Sequence, residues 1–173
     1  DANAGWSRAQ AERLLPALAE RGVDLIEQPL AVGELDGLRA LARLPRRPAI
    51  FVDESIRSSA DIVAHAGLVE GVVLKLAKCG GIRGTLRDIS LARALGLDVL
   101  LSCMIESSVA VTAAAHLAPL CQHADLDGPL LIENDPFEGV TYRAGQLVLP
   151  SRPGLGLTLR ESRSSCSSRP RAT

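Results

Sequence analysis

Three stretches decide the fold: Val23-Asp24-Leu25-Ile26-Glu27, Ala49-Ile50-Phe51-Val52-Asp53 and Gly71-Val72-Val73-Leu74-Lys75. Each is a short β-branched or aliphatic run ending on a charged group, and an Ala/Leu/Arg/Glu segment of helical periodicity follows each. Such runs read as buried strands. Working outward, Ser7 caps a helix to about Arg21 that Gly22 stops, and Glu34 to Leu44 is a helix closed by Pro45 and Pro48. Ser58 or Ser59 opens a helix to about Ala66, and Thr85 to Leu95 is a helix before the strand Asp98 to Ser102. Ser107 or Ser108 opens a helix to about Leu117, and a last strand runs through Ala124 to Asp127.

The polar residues at the strand ends are Asp1, Glu27, Asp53, Lys75, Ser102 and Asp125, at intervals of 26, 26, 22, 27 and 23 residues. That is the length of one β/α unit, so right-handed crossovers and a parallel sheet are expected. Both the open doubly wound sheet and the closed (β/α)8 barrel satisfy this. The one glycine-rich turn, Cys79-Gly80-Gly81-Ile82-Arg83-Gly84, lacks GxGxxG and the P-loop GK[ST], and reads as a tight βα turn. Polar groups at successive strand ends favour the barrel, where they converge on one face. From about Glu133 to Leu157 the pattern becomes a hairpin and a return segment packed against the sheet. Residues 159–173 form a Ser/Arg-rich tail expected to be disordered, behind a barrel domain at 1–158.

Composition narrows the function. The 173 residues carry a net charge of −1, which gives no reason to expect nucleic acid or a membrane as partner, and 2% aromatic content leaves no stacking platform for single strands. There is no run of 18 apolar residues. Cys79, Cys103, Cys121 and Cys166 form no CxxC pair, which argues against a zinc site or a disulfide framework and for reduced thiols in a cytoplasm. Lys75 and Lys78 are the only lysines among 19 basic residues, so arginine carries positive charge everywhere else. The chain opens without an initiator methionine, as a cut or incomplete reading frame would.

Asp1, Glu27 and Asp53 are carboxylates at three strand ends. Neighbouring strands about 4.8 Å apart would let them converge on a hard cation such as Mg2+, although an acid at a strand end is by itself an ordinary solvated turn residue. Lys75 closes the next apolar run. Desolvation and a nearby cation would lower its pKa and make it a base, against the alternative of a surface lysine snorkelling to water. Lys78 reads as a solvated turn residue. Asp125 and Asp127 alternate, so in a strand both carboxylates face one side and can meet a cationic ligand; otherwise they are a polar strand end before Gly128-Pro129.

These residues resemble a family. Glu27-Gln28-Pro29, Asp53-Glu54-Ser55, Lys75-Leu76-Ala77-Lys78-Cys79-Gly80-Gly81, Ser102-Cys103-Met104-Ile105-Glu106-Ser107 and Asp125-Leu126-Asp127 look like successive strand-end motifs of the enolase superfamily. The segment Asp1-Ala2-Asn3-Ala4-Gly5-Trp6 resembles the one that carries the first metal ligand. Within the superfamily the match is to the dipeptide epimerases of the muconate-lactonizing subgroup, the L-Ala-D/L-Glu epimerase type, over residues 1 to about 158.

The resemblance implies an α/β fold, a (β/α)-barrel of the modified TIM type, incomplete here at about strands three to eight and without the N-terminal capping domain. It implies Mg2+ on Asp1, Glu27 and Asp53, Lys75 as one of two acid/base lysines, and Asp125 and Asp127 on the α-ammonium group of a dipeptide. The reaction implied is removal and return of the α-proton through an enediolate. The opposite lysine of the family lies in a Lys-x-Lys motif that would precede residue 1. The expected partner is a small-molecule dipeptide, with no nucleic acid, no membrane and a homo-oligomer left open. Three alternatives remain: a cycloisomerase, an o-succinylbenzoate synthase, or a non-catalytic barrel fragment.

Overall fold

The structure, a computed structural model, describes residues 1–160. Five parallel strands form its main sheet: β1 (Leu25–Glu27), β2 (Ala49–Val52), β3 (Gly71–Lys75), β4 (Asp98–Ser102) and β5 (His123–Asp125). Their spatial order is β1-β2-β3-β4-β5. A doubly wound sheet reverses its strand order at a switch point. This one never does, so the fold is the barrel alternative, present as a partial (β/α)-barrel.

Why the strands are apolar almost throughout follows from their two faces. Ile26, Ile50, Val52, Val72, Leu74, Val99 and Leu101 join one large buried cluster with residues of the surrounding helices. Those helices include α1 (Arg8–Glu20), α2 (Leu35–Ala42) and α3 (Ser59–His65), which contribute Leu15, Leu41 and Ile62. The alternate residues Phe51, Val73 and Leu100 form a second, smaller cluster with Leu25 and Ala49 on the inner face. Burying one such aliphatic side chain stabilises the fold by about 1.5–3 kcal/mol. Because side chains alternate along a strand, Glu27, Lys75 and Ser102 share the inner face of Leu25, Val73 and Leu100. Asp125 joins them by the same parity from His123, whose ring meets Phe51 edge-on at 5.5 Å.

Several boundaries differ from the sequence reading. The turn after β3 contains a one-turn helix, α4 (Leu76–Cys79), and the next helix, α5 (Ile82–Ala94), starts three residues before Thr85. Gly80 and Gly81, at φ +77° and +86°, swing the chain between the two, a conformation other residues rarely adopt. The last strand ends at Asp125. Asp127 sits at φ −92°, ψ −4° before a 3₁₀ turn over Gly128–Leu131, where Pro129 cannot continue a ladder. Among the described residues the main sheet has five strands rather than six, and Asp1 lies in none of them. Residues 2–6 instead run beside the end of β1, with Ala2 N–H donating to Glu27 O at 3.0 Å and Ala4 N–H to Gln28 O at 2.8 Å.

The last helix, α6 (Ser108–Ala115), carries the return segment. Asp135 Oδ2 accepts from Ser108 N–H at 2.6 Å, and Val140 N–H donates to Thr112 Oγ1 at 2.9 Å. These bonds tie the segment to α6, while Tyr142, Leu147 and Leu155 of the segment pack against the main buried cluster. It includes β6 (Phe137–Glu138) and the hairpin β7 (Thr141–Arg143) and β8 (Gln146–Val148), while Leu159 of β9 (Thr158–Leu159) pairs with Phe137. The predicted tail beyond Arg160 lies outside the described residues.

Candidate active site

The outgoing ends of the strands bring the charged residues together around Asp53. This carboxylate follows β2 directly and is 8% exposed. Lys75 Nζ donates to its Oδ2 at 2.8 Å. Lys78 Nζ donates both to its Oδ1 and, at 2.7 Å, to its backbone carbonyl. Lys75 closes β3 and Lys78 lies in the one-turn helix α4 that follows directly, so both ammonium groups reach the same acid.

The electrostatics follow from burial and pairing. Burial by itself would raise the Asp53 carboxyl, but the hydrogen bonds from Lys75 and Lys78 outweigh it and hold the group below its ordinary value. Burial would likewise lower Lys75, but its bond to Asp53 and the charges of Asp53, Glu27 and Glu54 raise it. Contact with the Asp53 carboxylate thus sets the direction at Lys75. Glu27 behaves in the opposite way to Asp53. Half-buried and close to Asp53, its carboxyl is raised first by burial and then by the Asp53 charge.

Asp1 lies near this group but turns its side chain back on itself: Oδ1 accepts from Asn3 N–H at 2.7 Å. Among the described residues, no three His, Cys, Asp or Glu side chains are gathered as a ready-made metal site. Glu27 and Asp53 are nonetheless crowded acids, and Glu54 adds a buried Oε2 with no hydrogen-bond partner. Oxygen donors of this kind suit a hard divalent cation.

Asp125 belongs to the same face. Lys75 pairs with Ser102, and Ser102 with Asp125, in one row across β3, β4 and β5. Two strand spacings of about 4.8 Å put the Lys75 and Asp125 backbones about 10 Å apart. Asp125 and Asp127 are both exposed while Leu126 between them is 3% exposed. The Tyr142 hydroxyl fixes that buried residue from below, donating to Leu126 O at 2.5 Å. Gly128 has no room for a side chain: a Cβ there would lie 2.7 Å from Met104 O, on the Ser102–Ser107 loop.

Sequence reading set Lys78 down as a solvated turn residue and gave Gln28 and Glu54 no role beyond the motifs that contain them. For Lys78 a signal was present, since the chain spends both of its lysines within one motif. Gln28 and Glu54 gave none, because their surroundings come from other segments.

The chain is 45% identical over 161 residues to a hydrophobic dipeptide epimerase of Flavobacteria bacterium (strain MS024-2A), covering 93% of this chain and 46% of that protein. Among solved structures it superposes with a TM-score of 0.83 on a substrate-liganded L-Ala-D/L-Glu epimerase from Bacillus subtilis, at 31% identity and covering 91% and 46% of the two chains. The muconate lactonizing enzyme of Pseudomonas putida matches with the same TM-score of 0.83, at 36% identity and with coverage of 91% and 46%. The chain thus spans less than half the length of the relatives it matches. With the family model matching residues 1–163, the chain belongs to the enolase C-terminal domain-like family.

Proposed function

We propose that this chain supplies the metal site, one acid/base lysine and the ammonium-binding acids of a dipeptide epimerase. The observation that carries the reading is the row from Lys75 through Ser102 to Asp125, with Asp53 held by Lys75 at 2.8 Å. Glu27 and Asp53, joined by Asp1 once its side chain leaves Asn3 N–H, would hold a divalent cation such as Mg2+. When bound, that cation neutralises the charge that develops on a substrate carboxylate as the α-proton leaves. Lys75 Nζ takes or returns that proton on one face of the α-carbon. In its neutral form it is the base, and in its ammonium form the acid. Asp125 and Asp127 accept hydrogen bonds from the substrate's α-ammonium group and so fix which end of the dipeptide meets Lys75.

A cycloisomerase reading shares the metal and the lysine, and the muconate lactonizing relative supports it to that extent. The exposed acid pair favours the dipeptide, since a dicarboxylate substrate would be repelled by it.

Deuterium incorporation decides between them. The full-length protein, incubated with Mg2+ in D2O, should label the C-terminal α-carbon of L-Ala-L-Glu or of a hydrophobic dipeptide and invert it, and should leave muconate unchanged. Turnover of muconate with no labelling of any dipeptide would overturn the epimerase reading.

A further inference from the structure

Gln28 is 1% exposed and holds φ +34°, a backbone region that side-chain-bearing residues rarely enter. Its side chain is used to capacity. Oε1 accepts from Asp53 N–H at 3.0 Å and from Ser55 N–H at 3.2 Å, while Nε2 donates to Leu30 O at 2.7 Å and to Ser55 Oγ at 2.9 Å. Its backbone is equally engaged, with N–H donating to Phe51 O at 2.8 Å and the carbonyl accepting from Ala4 N–H at 2.8 Å. One residue thereby joins the three segments that carry Asp1, Glu27 and Asp53. A neutral amide is the group that can accept two bonds and donate two at once; a carboxylate could only accept, and would add a fourth negative charge beside Glu27, Asp53 and Glu54.

We propose that Gln28 is a positioning residue that sets the spacing of the three carboxylates and hence their affinity for a divalent cation. The inference rests on the metal-dependent reading above. Outer groups that orient metal ligands contribute about 10- to 100-fold to affinity.

The test is Mn2+ binding to the full-length protein, followed by the electron paramagnetic resonance of free Mn2+, with thermal unfolding recorded in parallel. Gln28→Met keeps the length and removes all four side-chain bonds; it should weaken Mn2+ by at least about 10-fold. Arg47→Met, at the opposite end of the sheet, lowers stability without touching the acids and should leave Mn2+ affinity within about twofold. Equal Mn2+ affinity in Gln28→Met and the unaltered protein, or an equal loss in Arg47→Met, overturns the proposal. Should Gln28→Met not fold, Ser55→Ala decides: it removes one Nε2 acceptor and should weaken Mn2+ by about threefold, and an unchanged affinity overturns the proposal. Failure of the unaltered protein to bind Mn2+ would instead sink the metal reading itself.

Discussion

The two ends of the sheet each hold a partly buried cluster of charges, and the clusters are built differently. At the incoming end Arg47 grips Glu70 through both terminal nitrogens at 2.7 Å, and Ile50 N–H adds a third bond at 2.9 Å, leaving Arg47 Nε without a partner. One base meets one acid there. Glu70 is also tied into the ladder, its N–H donating to Ile50 O and its carbonyl accepting from Asp98 N–H. At the outgoing end three acids, Glu27, Asp53 and Glu54, share two lysines, and one buried carboxylate oxygen has no partner. The bases differ as well: a guanidinium stays protonated and locks a carboxylate in a planar fork, whereas an ammonium can release a proton. A matched pair is architecture; an unmatched one retains capacity for a ligand and a proton.

Exchanging the bases is the sharpest way to break this contrast. Lys75→Arg should keep the charge beside Asp53 and the unfolding temperature within a few degrees, yet lower α-proton exchange by about 10²- to 10⁴-fold, measured as deuteration in D2O. Retained exchange would mean that the outgoing cluster is architecture too. Arg47→Lys should leave exchange within about twofold and reduce stability by about 1 kcal/mol in denaturant titration, through loss of the two-pronged bond.

Acid pH should separate the ends more finely. Burial alone would raise Glu70, but Arg47 and Ile50 N–H hold it below 4.5. The unfolded chain therefore takes up the proton first, so the stability from this group is intact above about pH 4.5 and is lost as pH falls through the folded value. Glu70→Gln should flatten the acid limb of a Tm-versus-pH curve. Glu27, raised by burial and Asp53, has the opposite sign: its contribution is full below 4.5 and lost as pH rises through the folded value. The smallest effect follows from this. Glu27→Gln should raise Tm at pH 7, without added divalent cation, by at most about 2 °C while abolishing Mn2+ binding.

Much of this was legible in the sequence because it is carried by local pattern. The runs ending at Lys75 and Ser102 are the strands Gly71–Lys75 and Asp98–Ser102 without adjustment. Ser7 opens α1 through a reciprocal bond pair with Gln10. What escaped depends on partners distant in the chain. The bonds of Gln28 to Asp53 and Ser55 span 25 and 27 residues, and nothing next to Gln28 announces that an amide is to be buried. Asp127 left the strand because Gly128-Pro129 turns the chain at once, which decides for the polar strand end over the continued alternation of the two acids. The partner that raises Lys75 is distant in the chain too: Asp53 lies 22 residues earlier.

Because every strand of the main sheet pairs only with its neighbours in sequence, the partners there lie 20 to 27 residues apart. No pairing must wait for a distant part of the chain, so the contact order of the sheet is low for a β-containing fold. Each β/α unit can dock on the one before it as that unit forms, an order that would bring Glu27, then Asp53, then Lys75 and last Asp125 to the outgoing ends. Synthesis from the N-terminus runs in that direction too, which would bring Asp125 and Asp127 to the outgoing ends among the last.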